Sequence, residues 1–262
     1  MIFYGKLVAE KIYEKIEKEK LSLKEKPFLA IILVGNDPAS LAYVHLKEKI
    51  AARLGFGFKI YHFLEDIKQE ELESLISDLN NNDFISGVVI QLPLPDSIDT
   101  EKIIKKVDER KDIDGFSGSF VAPTAQAILD ILDYYQIDLK QKKIVIVGHG
   151  RLVGQPLEII LKTKNIFVTV CDSKTENLKD ETLQADILIS ATGVPGLITP
   201  EMVRPDAIVI DAGSSEANGK MVGDVTPAVY EKITGFTPNP GGVGPVTVAE
   251  LFLNLVKATK KF

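Results

Sequence analysis

The sequence predicts an α/β protein of two domains, each built around a mainly parallel sheet, with a cleft between them. Short, continuously apolar segments that end at a glycine or a polar loop alternate with segments of helical period. This is the pattern of buried parallel strands joined by crossover helices. The alternation occurs twice, and the polar, glycine-containing segment 108–120 separates the two series. Ligands of such proteins bind at the carboxyl ends of the strands.

The first series predicts three helices and three strands. Val8, Ile12 and Ile16 recur at helical spacing, and the segment 27–35 is continuously apolar and ends in glycine. The last strand of the series runs into a proline-rich loop. In order, the predicted elements are a helix at about 5–20, a strand at 27–35, a helix that ends near residue 54, a strand at 57–63, a helix at 69–82 and a strand at 86–95.

The second series predicts an α/β unit that meets the first near residues 115–125. It opens with a helix and closes with the helix of the C-terminal segment "TVAELFLNLVKATKKF". The predicted elements are a helix at 122–135, a strand at 144–147, a helix at 154–163, strands at 166–171, 186–190 and 207–211, a short strand near 220–224 and the C-terminal helix.

The composition predicts a soluble, cytoplasmic protein. The chain of 262 residues is 45% hydrophobic and 26% charged, and its formal net charge of −6 disfavours nucleic acid as a partner. There is one cysteine, no run long enough to span a membrane, and an N-terminus without a secretory apolar core. The histidines and the cysteine show no metal-ligand spacing, so we expect no metal site.

Three polar residues share one face of the second predicted helix. Ser40, Tyr43 and Lys47 stand at positions i, i+3 and i+7, so a hydroxyl, a ring and an amine can project into one cleft. An amine that is partly desolvated beside a ring can lose its proton near neutral pH, which suits general acid and base chemistry. The alternative is a solvated helix face, because Lys49 and Arg53 follow closely.

Two further polar groups follow the last strand of the first series. Gln91 ends the otherwise apolar strand in "GVVIQLPLP", where its amide either caps a loop or points into the cleft. Asp112 and Asp114 alternate with apolar residues in "KDIDGF". They either form a turn, which Asp and Gly favour, or supply a carboxylate that accepts hydrogen bonds from an amino-heterocycle.

A glycine-rich turn follows the first strand of the second series, in "KIVIVGHGRLVGQP" (143–156). Gly148 and Gly150 let the backbone approach a pyrophosphate, and the N-terminus of the next helix, at Gly154, offers amide donors and a favourable dipole. Asp172 follows the next strand, where an acidic residue can bind ribose hydroxyls. This pattern indicates a Rossmann-like domain for NAD or NADP, with a purely structural turn as the alternative.

The segment "GFTPNPGGVGPVT" (235–247) precedes the C-terminal helix and is neither strand nor helix interior. Its apolar character favours a specific loop over a linker. Together with "VGNDPASLAYVHLKEK", "GVVIQLPLP", "KDIDGF", "ADILISATGVPG" and "GDV", it occurs in the order and spacing of one family. The chain resembles bifunctional methylenetetrahydrofolate dehydrogenase/methenyltetrahydrofolate cyclohydrolase, and the resemblance covers nearly the whole sequence.

The resemblance implies roles for individual residues. Lys47 would assist the proton transfers as water adds to the methenyl carbon, and Gln91 would hold and tune that lysine. Tyr43 would stack on the folate, with Ser40 nearby, and Asp114 would bind the amino-pterin edge. These four, Lys47, Gln91, Tyr43 and Asp114, are the predicted catalytic residues. The substrate-binding set is Ser40, Tyr43, Gln91, Leu92, Pro93 and Asp114, with Pro240, Gly241 and Gly242 as a wall over the pterin.

The resemblance also implies the partners and the division of the chain. Residues 1–120 with 245–262 would form the folate-binding catalytic domain and 121–244 the NAD(P)-binding domain, in a homodimer that takes tetrahydrofolate one-carbon derivatives and uses neither nucleic acid nor membrane. The predicted cofactor-binding residues are Thr124, Gly148, His149, Gly150, Arg151, Val153, Gly154, Asp172, Ser173, Thr192 and Gly193.

The chain departs from the family pattern at two places. The family has P-C-T-P-x-G where this chain has "APTAQA" (122–127), in which only Thr124 is retained. It also has an arginine and a serine where this chain has His149 and Gly150, and a histidine where it has Asp172. Loss of a guanidinium and gain of a carboxylate both oppose a 2′-phosphate. These changes favour NAD over the family's usual NADP, although Arg151, Ser173 and Lys174 can act in the opposite direction.

The predicted function is oxidation of 5,10-methylenetetrahydrofolate with NAD(P), followed by hydrolysis of the methenyl product to 10-formyltetrahydrofolate. The alternatives are a different small-substrate NAD(P) dehydrogenase on a similar two-lobed frame, such as a shikimate-like enzyme, or a family member with the dehydrogenase activity alone. A non-catalytic nucleotide-binding module is disfavoured, because a mere binder has no need of the Lys47 amine beside Gln91.

Overall fold

A computed structural model describes residues 1–217 and 220–260 of the chain. The chain divides into two compact units. The three-stranded unit comprises Ile12–Val121 and the C-terminal residues from Leu251, and the five-stranded unit comprises Met1–Lys11 and Ala122–Glu250. Each unit is built on a parallel sheet, so the α/β fold class predicted from the sequence is confirmed.

The three-stranded unit has its first strand in the middle of the sheet. Strand β1 (Phe28–Val34) pairs in parallel with β2 (Gly57–Phe63) on one side and with β3 (Gly87–Ile90) on the other. The chain therefore crosses from one side of β1 to the other, and a switch of this kind opens a crevice at the carboxyl ends of the strands. The helices α2 (Pro38–Leu54), α3 (Gln69–Asn80) and α4 (Thr100–Lys106) belong to this unit, together with the part of α1 (Gly5–Lys20) from Ile12 onward.

The core of this unit follows from its apolar periodicity. Six of the seven residues of β1 are buried, as expected of a strand that is covered on both faces. Helix α3 places Leu72, Ile76 and Leu79 against one of these faces. Burial of an aliphatic side chain of this size stabilises the fold by about 1.5–3 kcal/mol. Helix α2 begins where the Asp37 carboxylate accepts a hydrogen bond from the Ser40 amide at 2.7 Å, which satisfies a free N–H group of the first turn.

The five-stranded unit has a second switch point. Its sheet order is β10-β7-β6-β4-β5, and all four pairings are parallel. Strand β4 (Ile144–Val147) lies between β5 (Val168–Cys171) and β6 (Ile187–Ser190), and β7 (Ile208–Asp211) and β10 (Gly235–Phe236) follow beyond β6. The chain runs from β4 to β5 and then returns past β4 to β6, so the carboxyl end of β4 is the expected ligand crevice.

Helices and a short hairpin complete this half of the chain. Val145, Val147, Leu188 and Val209 of the sheet lie in one buried cluster with Val229. The remaining elements are α5 (Pro123–Tyr134), α6 (Gly154–Thr163), α7 (Leu178–Thr182), a 3-10 helix (Pro200–Met202), α8 (Pro227–Lys232) and the antiparallel hairpin of β8 (Ser215–Ala217) and β9 (Lys220–Val222). Helix α9 (Val243–Lys260) begins in this unit, and its residues from Leu251 belong to the three-stranded unit.

The structure differs from the predicted elements where these are short. Helices α4, α7 and α8 were not predicted, because each is too short to show a full amphipathic repeat. The predicted strand near 220–224 is one half of the β8–β9 hairpin, and the 235–247 segment contains β10 and the start of α9. The compact units differ from the predicted domains at 1–11, at 121 and at 245–250. Residues 261–262, the end of the predicted C-terminal helix, lie outside the described residues.

None of the helices within 1–217 and 220–260 combines the length and the apolar character that a membrane-spanning segment requires.

Candidate active site

The three-stranded unit buries a lysine amine against a glutamine amide. Lys47 lies on α2 and is only 9% exposed, and its Nζ donates a hydrogen bond to Gln91 Oε1 at 3.0 Å. Burial lowers the pKa of Lys47, while the negative charge of Asp114 acts in the opposite direction. The amine is therefore not on a solvated helix face, the alternative that helical spacing left open.

Gln91 is held in the orientation that presents its oxygen to the amine. It directly follows β3, its backbone amide donates to Ile32 O at 2.9 Å, and its side-chain Nε2 donates to Leu92 O at 2.9 Å. With Nε2 engaged by that carbonyl, Oε1 is left for Lys47. The partner of the amine is therefore a neutral acceptor, which holds the lysine without stabilising its positive charge as a carboxylate would.

Ser40 and Tyr43 lie on the same helix as Lys47, towards its N-terminus. Ser40 is buried, and its Oγ donates to Leu92 O at 3.4 Å, so Leu92 O accepts hydrogen bonds from both Ser40 and Gln91. Tyr43 is half-buried one turn before Lys47. The peptide bond between Leu92 and Pro93 is cis. The start of α2 and the loop after β3 are thus joined by hydrogen bonds around the amine.

The loop that carries Asp114 is built by its neighbour Asp112. The Asp112 carboxylate accepts a hydrogen bond from the Ser117 amide at 2.6 Å, and its carbonyl accepts one from Gly115 at 3.1 Å. This is the turn-forming role that the sequence suggested for both aspartates, and it applies to Asp112. Asp114 differs from Asp112 in that its side chain is half-buried. Burial raises the pKa of Asp114 to about 6, against a lowering contribution from the Lys47 charge.

One residue that was not predicted from the sequence supports this loop. Asn254 on α9 is 1% exposed, and its Nδ2 donates to Ile113 O at 3.0 Å and to Val121 O at 2.9 Å. The two carbonyls lie on either side of the Asp114 loop in the sequence, so the Asn254 side-chain amide holds both ends of the loop by hydrogen bonds. No sequence signal could have found this pairing, since Asn254 is 141 residues from Ile113 in a helix that reads as apolar.

In the five-stranded unit, two glycines of the turn after β4 are sterically required. Gly148 has a φ of 101°, and a Cβ placed on it would collide with the carbonyl oxygen of Ala191. A Cβ on Gly154 would collide with the carbonyl oxygen of Gly148. Gly150, in contrast, has no atom within 4 Å of its Cβ position, so its backbone is open to an approaching ligand. The turn stands at the switch point of the sheet, as expected of a dinucleotide site.

The side chains around this turn engage one another. His149 Nε2 lies 2.7 Å from Glu158 Oε2, and Gln155 Nε2 donates to His149 O at 3.0 Å. Asp172, after β5, forms a turn of its own in which Oδ1 accepts from the Lys174 amide at 2.8 Å. Among the remaining predicted cofactor residues, Arg151 and Ser173 are exposed and Val153 is half-buried. Thr124 is half-buried in the first turn of α5.

A buried pair of aspartates, neither of them among the predicted site residues, supports the loop after β6. Asp224 Oδ2 accepts hydrogen bonds from Ser190 Oγ at 2.8 Å and from the Thr192 amide at 2.7 Å. Asp211 Oδ1 accepts from the amides of Gly213 at 3.0 Å and Asp224 at 3.1 Å, and burial raises the pKa of Asp211. The predicted cofactor residue Thr192 is thereby held, and Gly193 follows it with a φ of 70°.

The Pro-Gly-Gly segment is a fixed loop of the five-stranded unit. The peptide bond before Pro240 is cis, Gly241 has a φ of 106°, and Gly241 O accepts a hydrogen bond from the Gly5 amide at 2.9 Å. Gly242 leaves no room for a side chain, because its Cβ position lies 2.6 Å from Pro238 O. These contacts exclude the linker that the sequence left as an alternative.

Three groups of predicted residues are therefore each fixed by hydrogen bonds or packing. The first surrounds Lys47 and Gln91, the second is the glycine turn with the loops after β5 and β6, and the third is the Pro240–Gly242 loop. Among the described residues, no group of three or more His, Cys, Asp or Glu side chains is arranged to hold a metal ion.

Comparison with known proteins gives matches over the whole chain. The family "Tetrahydrofolate dehydrogenase/cyclohydrolase, catalytic domain" matches residues 3–114, and "Tetrahydrofolate dehydrogenase/cyclohydrolase, NAD(P)-binding domain" matches residues 122–262. The "Bifunctional protein FolD" of Aquifex aeolicus is 43% identical, over 100% of this chain and 96% of that protein.

Solved structures agree with these matches. The bifunctional FolD methylenetetrahydrofolate dehydrogenase/cyclohydrolase of Campylobacter jejuni is 38% identical, with a TM-score of 0.92 over 100% of this chain and 99% of that one. The Trypanosoma brucei methylenetetrahydrofolate dehydrogenase-cyclohydrolase, solved with NADP and an inhibitor, is 31% identical, with a TM-score of 0.93 over 100% and 97% of the two chains.

Proposed function

Since the chain belongs to the tetrahydrofolate dehydrogenase/cyclohydrolase family, we propose that Lys47 is the proton-transfer group of its hydrolase activity and that the turn after β4 binds its coenzyme. The chain is both an oxidoreductase and a hydrolase. It oxidises 5,10-methylenetetrahydrofolate to 5,10-methenyltetrahydrofolate with NAD(P), and it hydrolyses that product to 10-formyltetrahydrofolate.

The contact of Lys47 Nζ with Gln91 Oε1 at 3.0 Å is the observation that carries the hydrolase proposal. Hydrolysis adds water to the methenyl carbon and then breaks one carbon–nitrogen bond, so a proton must leave the water and another must reach the departing nitrogen. A buried amine with a lowered pKa can accept the first proton as a neutral base and deliver the second as an ammonium ion. Lys47 therefore acts at both stages.

Gln91 is proposed as the residue that tunes this amine. Its Oε1 accepts a hydrogen bond from Nζ whether the amine is neutral or protonated, so the lysine keeps its place throughout the reaction. A carboxylate at the same place would favour the ammonium form and remove the base. The bond from Gln91 Nε2 to Leu92 O keeps the amide from rotating and presenting its NH₂ group to the lysine.

The Asp114 loop is proposed to recognise the pterin. An ionised carboxylate can accept two hydrogen bonds from the adjacent N–H groups of an amino-heterocycle, and Asp112, Ser117 and Asn254 hold the loop that carries it. The half-buried ring of Tyr43 supplies a surface for stacking. The further proposed substrate-binding residues are Ser40, Gln91, Leu92, Pro93, Pro240, Gly241 and Gly242.

The five-stranded unit supplies the coenzyme site. Gly148 and Gly154 form a turn in which a Cβ would collide with backbone, and Gly150 leaves the backbone open at the N-terminal end of α6. Amide groups in this position fit a pyrophosphate. The nicotinamide coenzyme takes up the hydride when bound, and the residues proposed to orient it are Thr124, Gly148, His149, Gly150, Arg151, Val153, Gly154, Asp172, Ser173, Thr192 and Gly193.

NAD is proposed as the preferred coenzyme. The turn carries His149 next to the Glu158 carboxylate, and Asp172 is exposed after β5. A doubly charged 2′-phosphate is disfavoured beside such carboxylates, whereas a ribose hydroxyl can donate a hydrogen bond to Asp172. We also propose, on the basis of the family resemblance, that the chain forms a homodimer and is located in the cytoplasm. Light scattering of the purified chain measures its oligomeric state directly.

One experiment tests the two activities together. Purified protein is incubated with 5,10-methylenetetrahydrofolate and either NAD or NADP, and the methenyl and 10-formyl products are quantified separately. Both products are expected, and with NAD the specificity constant is expected to be larger. Absence of the methenyl product with either coenzyme contradicts the dehydrogenase assignment. Accumulation of methenyl product without enzymatic hydrolysis contradicts the role given to Lys47.

A further inference from the structure

Glu158 stands beside the coenzyme turn and contacts two basic side chains. It lies one turn into α6, its Oε2 is 2.7 Å from His149 Nε2, and its Oε1 is 2.7 Å from Lys162 Nζ. The side chain of Glu158 is 19% exposed, against 64% for Lys162. The carboxylate is thus the least exposed member of the trio. The hydrogen bonds from Lys162 and His149 hold the pKa of Glu158 below its usual value, so it is ionised at neutral pH.

We infer that Glu158 is a specificity-determining residue that disfavours the 2′-phosphate of NADP at this turn. The inference rests on the proposed coenzyme site after β4 and adds a residue to it. His149 lies between Gly148 and Gly150, in the part of the turn that a bound dinucleotide approaches. Glu158 acts there in two ways, because it engages the Nε2 atom of His149 and because its negative charge offsets the positive charge of Lys162.

The same contact would keep the Nε2 atom of His149 from binding a 2′-phosphate. Its Nε2 is directed to Glu158, and its carbonyl accepts a hydrogen bond from Gln155 Nε2 at 3.0 Å. A phosphate would have to compete with a carboxylate that is already in place. Without the carboxylate, His149 and Lys162 would both present hydrogen-bond donors beside the turn, and the local charge would become more positive.

The effect of Glu158 is separable from that of Asp172. Asp172 also shapes its own turn, since Oδ1 accepts from the Lys174 amide and the Asp172 amide donates to Thr175 Oγ1 at 2.9 Å. Substitution of Asp172 therefore changes both the charge and the loop. Glu158 contacts only side chains in its two hydrogen bonds here, and glutamine has nearly the same shape. Glu158→Gln thus removes the charge and preserves the packing.

The test compares full-length wild type, Glu158→Gln and Glu158→Ala, with Glu231→Gln on α8 as the matched control for loss of one carboxylate. Dissociation constants of NAD and NADP are measured by calorimetry without folate, and kcat/KM is measured for each coenzyme with methylenetetrahydrofolate. Both Glu158 variants are expected to bind NADP about fivefold more tightly and NAD within about twofold of wild type. The gain should shrink as salt is raised. Glu231→Gln should change neither constant.

The outcomes separate this inference from the proposed coenzyme preference. If wild type prefers NAD and neither Glu158 variant binds NADP more tightly, the role of Glu158 is wrong while the preference stands. If wild type prefers NADP, the proposed preference is wrong, and an NADP gain in both variants still supports Glu158. An equal gain for NAD and NADP overturns the inference, because a residue that acts on the 2′-phosphate must affect NADP more than NAD, which lacks that group.

Discussion

Lys47 Nζ donates a hydrogen bond to Gln91 Oε1 at 3.0 Å, across 44 residues of sequence. The lysine comes from the helix after β1 and the glutamine from the end of β3, which is the direct neighbour of β1 in the sheet. Since the acceptor is neutral, burial dominates and lowers the pKa of the amine. The predictions on the hydrolase activity follow from this pair.

Replacement of the neutral partner should reduce hydrolysis and move its pH dependence. In Gln91→Glu, a carboxylate beside Nζ stabilises the ammonium form, so the pKa of Lys47 rises and less neutral amine is present at pH 7. We expect the rate of methenyltetrahydrofolate hydrolysis to fall by about 10-fold or more and to recover as the pH is raised. Stopped-flow hydrolysis rates from pH 6 to 10 measure both effects. The exposed Gln184→Glu serves as the control, and an unchanged pH profile of Gln91→Glu contradicts the tuning role.

Removal of the amine should separate the two activities. Lys47→Met retains the length and apolar stem of the side chain but has no group that transfers a proton. We expect hydrolysis to fall by about 10²–10⁴-fold, with a much smaller effect on methenyl formation, which needs no acid or base at this position. Lys49→Met, on the exposed side of the same helix, is the matched control. A Lys47→Met enzyme that hydrolyses at the wild-type rate would show that another group transfers the protons.

The affinity for folate should weaken on acidification. Burial raises the pKa of Asp114 to about 6. The carboxylate accepts two hydrogen bonds only when it is ionised, so KM for methylenetetrahydrofolate should rise as the pH falls below about 6 and level off above it. In Asp114→Asn, KM should be high at every pH, and the rise of KM below pH 6 should disappear. Steady-state kinetics from pH 5 to 8 are the measurement, with Asp66→Asn as the control. If KM of Asp114→Asn still rises below pH 6, another group causes the pH dependence.

Loss of the Asn254 amide should destabilise the loop that carries Asp114. In Asn254→Leu, the carbonyls of Ile113 and Val121 lose their shared donor in a buried place. Each unsatisfied group costs about 1–3 kcal/mol, so the free energy of unfolding should fall by about 2–4 kcal/mol. Urea denaturation gives this value, and KM for folate should increase while KM for the coenzyme stays constant. A loss below about 0.5 kcal/mol would mean that these two bonds contribute little.

Restoring the family residues at the coenzyme turn should change the coenzyme preference. The double variant His149→Arg, Asp172→His adds a guanidinium and removes a carboxylate, both of which favour a 2′-phosphate. We expect the ratio of kcat/KM for NADP to that for NAD to rise by at least about 10-fold. The ratio is measured at fixed ionic strength, with the hydrolase rate as the internal control. A constant ratio would exclude these two positions as the origin of the preference.

Many of the helices and strands could be predicted from the sequence, because the patterns that indicate them lie within short segments of the chain. The three strands of the first series and β4 were predicted from apolar runs, and the turn after β4 was predicted from its glycines. The short elements α4, α7 and α8 were missed, since six or seven residues at most do not establish a helical period. The segment of β10 was predicted to be loop, because a strand of two residues is too short to show an alternation of apolar and polar side chains. Its pairing with β7 explains its extended conformation.

The residues of the site divide in the same way. Tyr43, Lys47 and Asp114 were named from spacing and family motifs, and their roles stay predictions. Glu158 could have been noticed from its i, i+4 spacing to Lys162, but its contact with His149 crosses the turn. Asn254 gave no signal, because the carbonyls that it contacts are 133 or more residues away in sequence. Asp224 lies in the family motif "GDV", but spacing could not predict the contacts of its carboxylate with Ser190 and Thr192, which are 32 or more residues away.

The sequence by itself determined the fold class, the family and the identity of the chemical groups, because apolar periodicity, glycine turns and motif spacing are local properties of the chain. Tertiary structure alone decided which of these groups meet, and therefore their electrostatic state. Lys47 loses its solvent on α2 only when β3 brings Gln91 to its amine, and His149 meets Glu158 only when the turn after β4 closes over α6. A pKa depends on solvation and on the charge of the neighbouring groups, and both are set for these side chains only when the chain has folded.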